Sequence, residues 1–324
     1  MKTTLLLIAS LFPSFAGAYE LEVRPDPWHL AAFENPLDLS GLAASNATTV
    51  LVGSDEMFHV QPGVMDLEKH RIESRRPLAL PVDDADDKTE VDIEGVAFCP
   101  QTSAYFVIGS HGVGKKKGDV QPARHSFYRI PVDPDDGELR EDAIARTSLD
   151  PWLARTPEIA PHLHEPLQQN GLNIEGLTAS DGRLFIGLRA PNLDGLGVVL
   201  EVPANAPFDT SPSGLTVHPV HVGEGRGIRE IVAVRDGFVI ATGNASAPST
   251  KKIPVSLAEH PDDRFELRFW DGTSRETQSI GTLPRNGGKA EGLLVLDETE
   301  LHIDLLVVFD GLLGGQPMAV RIHR

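Results

Sequence analysis

The chain has 324 residues, a single cysteine and a formal charge of −18. That charge, with no long basic stripe, argues against nucleic acid and anionic membrane surfaces as partners, and the lone thiol, Cys99, excludes an internal disulfide. A hydrophobic content of 40% is enough for a packed core.

The first eighteen residues read as an export signal. Lys2 is a minimal positive start, Leu5 to Phe12 an apolar run, and Ala16-Gly17-Ala18 a small-residue cleavage site. The run is far shorter than the roughly 20 residues that span a bilayer. The expectation is a periplasmic or secreted protein cleaved near Ala18, without membrane insertion. Residues 19–324 are then expected to form a single domain.

From Asp38 onward one hairpin is written five times. The copies are "DLSGLAASNATTVLVGSDE" at Asp38, "DIEGVAFCPQTSAYFVIGSHG" at Asp92, "NIEGLTASDGRLFIGLRAP" at Asn173, "GIREIVAVRDGFVIATGN" at Gly227 and "KAEGLLVLDETELHIDLLVVFD" at Lys289. Each has an apolar strand, a turn such as Ser180-Asp181-Gly182, and a second apolar strand. The third residues are Ser40, Glu94, Glu175, Arg229 and Glu291, at steps of 54, 81, 54 and 62. Gly follows that position in four of the five copies. Such periods suit four-stranded propeller blades.

Further strands are predicted between the copies, at "MFHVQP" from Met57, "HSFYRIPV" from His125, "GVVLEVP" from Gly197 and "RFELRFW" from Arg264. The 81-residue step holds a Pro- and His-rich insert, roughly 151–169, or alternatively a degenerate sixth blade. The segment from Tyr19 to Trp28 is expected to pair with the C-terminal "PMAVRIHR" and close the ring, which removes free strand edges. The predicted fold is all-β, a single β-propeller of about five blades.

In an antiparallel hairpin the start of the first strand lies beside the end of the second. Glu94 should therefore neighbour Ser110 and His111, Glu175 should neighbour Arg189, and Glu291 should neighbour Phe309 and Asp310. In a propeller these ends converge at one channel mouth. The result is a ring of mixed sign, which reads either as a clasp of paired charges or as the floor of a binding cavity. As a site, Glu94, Glu175 and His111 are the candidates for proton transfer. Arg189, Arg229, Lys289, Glu291 and Asp310 are the candidates for holding a ligand.

No G-x-S-x-G, H-E-x-x-H, P-loop or dinucleotide fingerprint occurs. Two Glu in one cavity could still act as acid and base. Several carboxylates at one mouth would suit Ca²⁺, yet nearby cations neutralise them and no calcium loop is present, so no metal ligand is assigned. The acidic run "PVDDADDKTEVDIE" from Pro81 reads as a solvated connector, and His162 and His164 are too isolated for a zinc site.

The ordered series "DIEGVAF", "YFVIGSHG", "NIEGLTA", "LFIGLRAP", "GIREIVAV" and "KAEGLLVL" resembles the bacterial domain-of-unknown-function family numbered 3616. More remotely the chain is similar to calcium-dependent phytase-like and esterase-like propellers, which share "EGL" strands. The resemblance implies a propeller-like repeat fold. It carries over only to Glu94, His111, Glu175, Arg189, Arg229, Lys289 and Glu291, and Ser40 departs from the pattern. The functional expectation is an exported propeller that binds a small polar or anionic ligand at one mouth, with hydrolysis of phosphoesters or esters as its catalytic form. The alternative is a non-catalytic scaffold holding a protein partner on the propeller face and the insert.

Overall fold

The computed structural model describes residues 19–83, 89–114, 117–133, 137–209, 213–255 and 264–324. Residues 1–18, expected to be an export signal, residues 84–88 of the acidic connector, and Lys115 and Lys116 lie outside the described residues.

Five sheets form, one for each copy of the repeated hairpin, antiparallel except that His29–Ala31 adds a parallel strand to the outer edge of the first. Their innermost strands are Leu39–Ala44, Ile93–Cys99, Asn173–Ser180, Arg226–Val234 and Lys289–Glu298. Each packs beside the next, and the last packs beside the first. The blades form a closed ring of five. The sixth-blade alternative is excluded, because the long step between the second and third copies carries an insert instead of a sheet.

Inner strands are buried on both faces, since each blade is covered by a neighbour on either side, and they read as nearly continuous apolar runs. Their hairpins close as the turn residues require. Asp181 and Gly182, at φ of 48° and 73°, link Ser180 to Arg183 in a two-residue turn that needs positive φ at both positions. The strands predicted from Met57, His125, Gly197 and Arg264 occur as His59–Asp66, Phe127–Pro131, Leu196–Pro203 and Glu266–Trp270. They are third strands, not edges. Outside them run Arg71–Ser74, Ala145–Thr147, Thr216–His221 and Thr277–Thr282. The ring closes as expected: Glu20–Val23 pairs antiparallel with Met318–His323, with Leu21 opposite Ile322.

The insert folds as a short helix, Asp150–Leu153, followed by 3-10 turns at Ala160–His162 and Leu167–Gln169. Trp152, Leu153, Ile159 and Leu163 from this segment are buried in one cluster with Phe106, Phe127 and Leu184 of the second and third blades. Apolar burial thus fixes the insert over the seam between those blades.

One irregularity recurs at the start of every inner strand. Pairing runs Ile93 to Gly109 and then Gly95 to Ile108, which leaves Glu94 without an opposite residue. Glu175, Arg229 and Glu291 are skipped in the same way. In the first blade the skipped residue is Gly41. A bulge adds one residue, bends the strand and re-aims a side chain. The repeated charged position is therefore a repeated bulge.

The glycine after the bulge is required by close approach. A Cβ on Gly95 would lie 2.6 Å from Leu177 Cβ in the next blade, and one on Gly176 would lie 2.9 Å from the Ile231 nitrogen. Blade spacing at the axis is set there. Beyond the glycines the channel is lined by small and apolar side chains from all five inner strands, around a space of about 180 Å³.

Candidate functional site

The bulges bring the repeated positions together. Glu175 of the third blade places Oε2 3.0 Å from Arg229 Nε of the fourth, a charge contact and not a directed hydrogen bond. Arg229 Nη2 in turn donates to Glu291 Oε1 of the fifth blade. Ser40 of the first blade donates a long hydrogen bond of 3.4 Å to the Glu94 carbonyl of the second. All five side chains are buried.

Arg189, at the end of the partner strand, sits 2.9 Å from Glu175 Oε1 as the hairpin geometry predicts. Its Nε donates to the Asn244 carbonyl at 3.2 Å and its Nη2 to the Ser246 carbonyl at 2.6 Å, both in the fourth blade. Three of its five N–H donors are thus used within the protein. The Arg229 guanidinium is pushed down to about 10 by burial and by Arg189, against the pull of Glu175, Glu94 and Asp310. It still carries its charge at neutral pH.

Lys289 does not join Glu291. It pairs instead with Asp310, its opposite residue across the hairpin. Asp310 lies in a group with Asp38 and Asp55 whose carboxylate oxygens fall within 4.8 Å of one another. Burial raises the Asp38 carboxyl, Glu56 and Asp310 add to the rise, and Lys289 opposes it. Three carboxylates are the donor set a hard cation takes, and here the Lys289 ammonium already sits on one of them.

His111 is a correction. It is not at the mouth: its backbone turns left-handed, at φ 52°, and carries the ring under the insert. There Nδ1 lies 2.9 Å from the Gly109 carbonyl, while Nε2 accepts the Leu149 N–H at 3.2 Å. Burial depresses the imidazole to about 4, against the pull of Asp150 and Gly109. With Nδ1 held by the Gly109 carbonyl and Nε2 by the Leu149 N–H, the neutral ring has no free nitrogen to present to a ligand. Beside it His125 Nδ1 lies 3.0 Å from both Asp150 oxygens, at the edge of a wide groove of about 670 Å³.

Glu230 is the residue sequence reasoning passed over. It fills the slot that glycine holds in the other four blades. Its Oε1 accepts N–H bonds from Ile231, at 2.9 Å, and from Leu177 of the neighbouring blade, at 3.2 Å. Burial pushes its carboxyl well above the usual carboxylate range; the two N–H bonds oppose this and Glu175 adds to it. The interrupted motif, Arg229-Glu230 where the other copies have a residue followed by Gly, was the signal available.

Above the Glu175–Arg229 contact a cavity of about 320 Å³ opens across the third, fourth and fifth blades. Arg189, Arg229, Arg264, Arg285 and Lys289 all line it. Among its described lining residues there is no carboxylate. Buried Arg229 and part-buried Arg189 form the floor, while Arg264, Arg285 and Lys289 are exposed at the rim. Arg264 and Arg285 lie in segments between the repeats, which is why the repeat pattern did not mark them.

Residues 38–130 and 137–316 match the family described as "Protein of unknown function (DUF3616)". The chain belongs to that family. No curated protein matches it in sequence. Among solved structures the family member is similar to an exo-β-1,3-galactanase from Phanerochaete chrysosporium with bound β-1,3-galactotriose, at 10% identity and a TM-score of 0.51. That likeness covers 93% of this chain and 64% of the galactanase chain. It is also similar to the PQQ-bound aldose sugar dehydrogenase from Streptomyces coelicolor, at 12% identity and a TM-score of 0.47, over 94% of this chain and 98% of the other. Likeness at such identity shows the fold alone. No helix among the described residues is long and apolar enough to cross a membrane.

Proposed function

We propose that this family member binds a small anionic ligand, bearing a carboxylate or phosphate, in the cavity above Glu175 and Arg229. The observation that carries the reading is the five-cation lining, with no acid among its described residues, on a chain of net charge −18. Guanidinium forks bind such groups bidentately, and Arg189 keeps two N–H donors beyond its three bonds. Low local dielectric strengthens their attraction for an anion. We propose further that residues 1–18 export the chain, which would put the ligand outside the cytoplasm.

The test is titration of the purified protein with benzoate, phosphate and phenyl phosphate. At least one is expected to bind with a Kd of about 1 mM or tighter and to weaken as salt is raised. Lys289→Met and Arg285→Gln each remove one rim charge, so each should weaken binding several-fold at a temperature where the variant is still folded, and Lys289→Met should also lower the melting temperature because it strands Asp310. Saturating anion that leaves both the heat signal and the melting temperature unmoved overturns the reading.

Binding is favoured over hydrolysis because Glu175 and Glu291 lie behind the arginines and face no part of the described lining. Hydrolysis by Glu94 or Glu175 has its own test, a screen of phosphoesters and carboxylesters with the parent and with Glu175→Gln/Arg189→Met. Turnover present in the parent and lost in the double variant would support it. A parent without turnover removes it.

A further inference from the structure

Beyond its cations the cavity has a second chemistry. Pro248, Phe265, Leu283, Pro284 and Phe309 also line it. Their placement is specific at one point. A Cβ on Gly243 would lie 2.7 Å from Phe265 Cε1 and 3.1 Å from Arg229 Cγ. The bare glycine lets the Phe265 ring and the Arg229 stem meet over the same spot, so an aromatic surface begins where the buried guanidinium ends. Leu283, whose N–H donates to the Phe265 carbonyl at 2.8 Å, extends that surface toward the rim.

Hydroxyl groups find little here. A polyol needs acceptors as well as donors; the side-chain oxygens of Asn244 and Asn286 already accept the Ser246 and Gly288 N–H groups, at 2.8 and 3.0 Å, and Ser246 is the one hydroxyl of the described lining. That hydroxyl is directed at the Ala247 carbonyl, 3.4 Å away. Setting a sugar ring against Phe265, Leu283 and the prolines would strip water from hydroxyls that find few replacement acceptors for their protons. A flat apolar body loses nothing there and gains the burial of its faces. A volume of about 320 Å³ is at the small end for ligand sites, which suits one or two rings with a headgroup.

We propose that the ligand is an aryl acid, a carboxylate or phosphate attached to a flat apolar ring, with its anionic head on Arg189, Arg229 and the rim cations and its ring against Phe265 and Leu283. The proposal rests on the anion-binding reading and narrows it.

The test is calorimetric titration of the full chain with five probes: benzoate, phenyl phosphate, inorganic phosphate, benzyl alcohol and glucuronate. Phenyl phosphate is expected to bind at least tenfold tighter than inorganic phosphate, and benzoate at least tenfold tighter than glucuronate or benzyl alcohol. Phe265→Leu keeps an apolar side chain of similar bulk but removes the flat face. It should weaken the two aryl acids by about three- to tenfold, the worth of one aromatic contact, and leave inorganic phosphate unchanged. If inorganic phosphate binds as tightly as phenyl phosphate, or glucuronate as tightly as benzoate, the aryl proposal fails while anion binding stands. If Phe265→Leu weakens all anions equally, the ring contact is refuted. If none of the five probes binds, the anion-binding reading fails and the aryl proposal with it.

Discussion

Arg229→Met is expected to destabilise the protein by about 3–5 kcal/mol, the usual cost of removing one partner of a buried ion pair. The side chain is wholly buried between Glu175 and Glu291, and together these join the third, fourth and fifth blades. Methionine fills most of the volume, so the loss is electrostatic. Glu175 keeps Arg189 as a counter-charge, 2.9 Å away, whereas Glu291 loses the cation to which it is bonded. The second substitution is chosen on that asymmetry. Arg229→Met/Glu291→Gln removes the stranded carboxylate as well, and should recover a substantial part of the loss. Urea unfolding of the parent, both single variants and the double variant gives the coupling energy directly. A loss under about 1 kcal/mol in Arg229→Met, with no coupling, would match an exposed pair and would show that the contact does not clasp the ring.

Much of the ring was legible because its cause is local and repeated. An apolar run, a two-residue turn and a second apolar run recur five times, and period alone implies neighbours that bury one another. The pairing of Glu175 with Arg189 followed from antiparallel geometry. What the pattern could not show was the bulge, because a skipped residue is visible only when two strands are counted against each other. The simple hairpin therefore placed the acids one step out of register, and it gave no reason for the glycine that follows them. Close approach at the axis is that reason. His111 was misplaced for another local cause: a left-handed turn just past the strand end diverts its ring, and the acceptor role of Nε2 depends on Leu149, 38 residues away. Arg264 and Arg285 belong to segments that do not repeat, so only the folded chain brings them to the cavity. In sequence Arg264 only opens the predicted strand "RFELRFW", and Arg285 only begins the glycine-rich "RNGGK" that leads into Lys289.

Acid should expose two buried groups that act in opposite directions. His111 is neutral in the fold, with its imidazole depressed to about 4, whereas in the unfolded chain it takes its ordinary value of 6.5. Between those values the unfolded state binds the extra proton. Stability from this site is therefore complete above pH 6.5 and falls as pH drops, by about 2 kcal/mol at pH 5 and about 3 kcal/mol at pH 4. Protonation would also convert Nε2 into a donor facing the Leu149 N–H, leaving the insert with a repulsive contact where it had a hydrogen bond. Asp150 on the insert pulls the same imidazole upward and His125 on the adjoining turn acts the other way. Glu230 works the other way. Its carboxyl is held neutral by burial, so the unfolded state releases a proton that the fold retains, and its contribution is greatest below the unfolded value of 4.5 and declines as pH rises toward the folded one. The parent's profile is the sum, and the variants separate it. Glu230→Gln keeps the acceptor oxygen for the Leu177 and Ile231 N–H groups without a proton to lose. It should be more stable than the parent at pH 8, by a margin that shrinks toward pH 4, and it should show the acid loss from His111 uncovered. His111→Gln should have a flatter profile than the parent between pH 6.5 and 4. Denaturant unfolding of the three proteins at pH 4, 5, 6.5 and 8 checks both. If the margin of Glu230→Gln is constant with pH, its carboxyl does not stay protonated in the fold. If His111→Gln retains the parent's full acid sensitivity, the loss arises elsewhere than the imidazole under the insert.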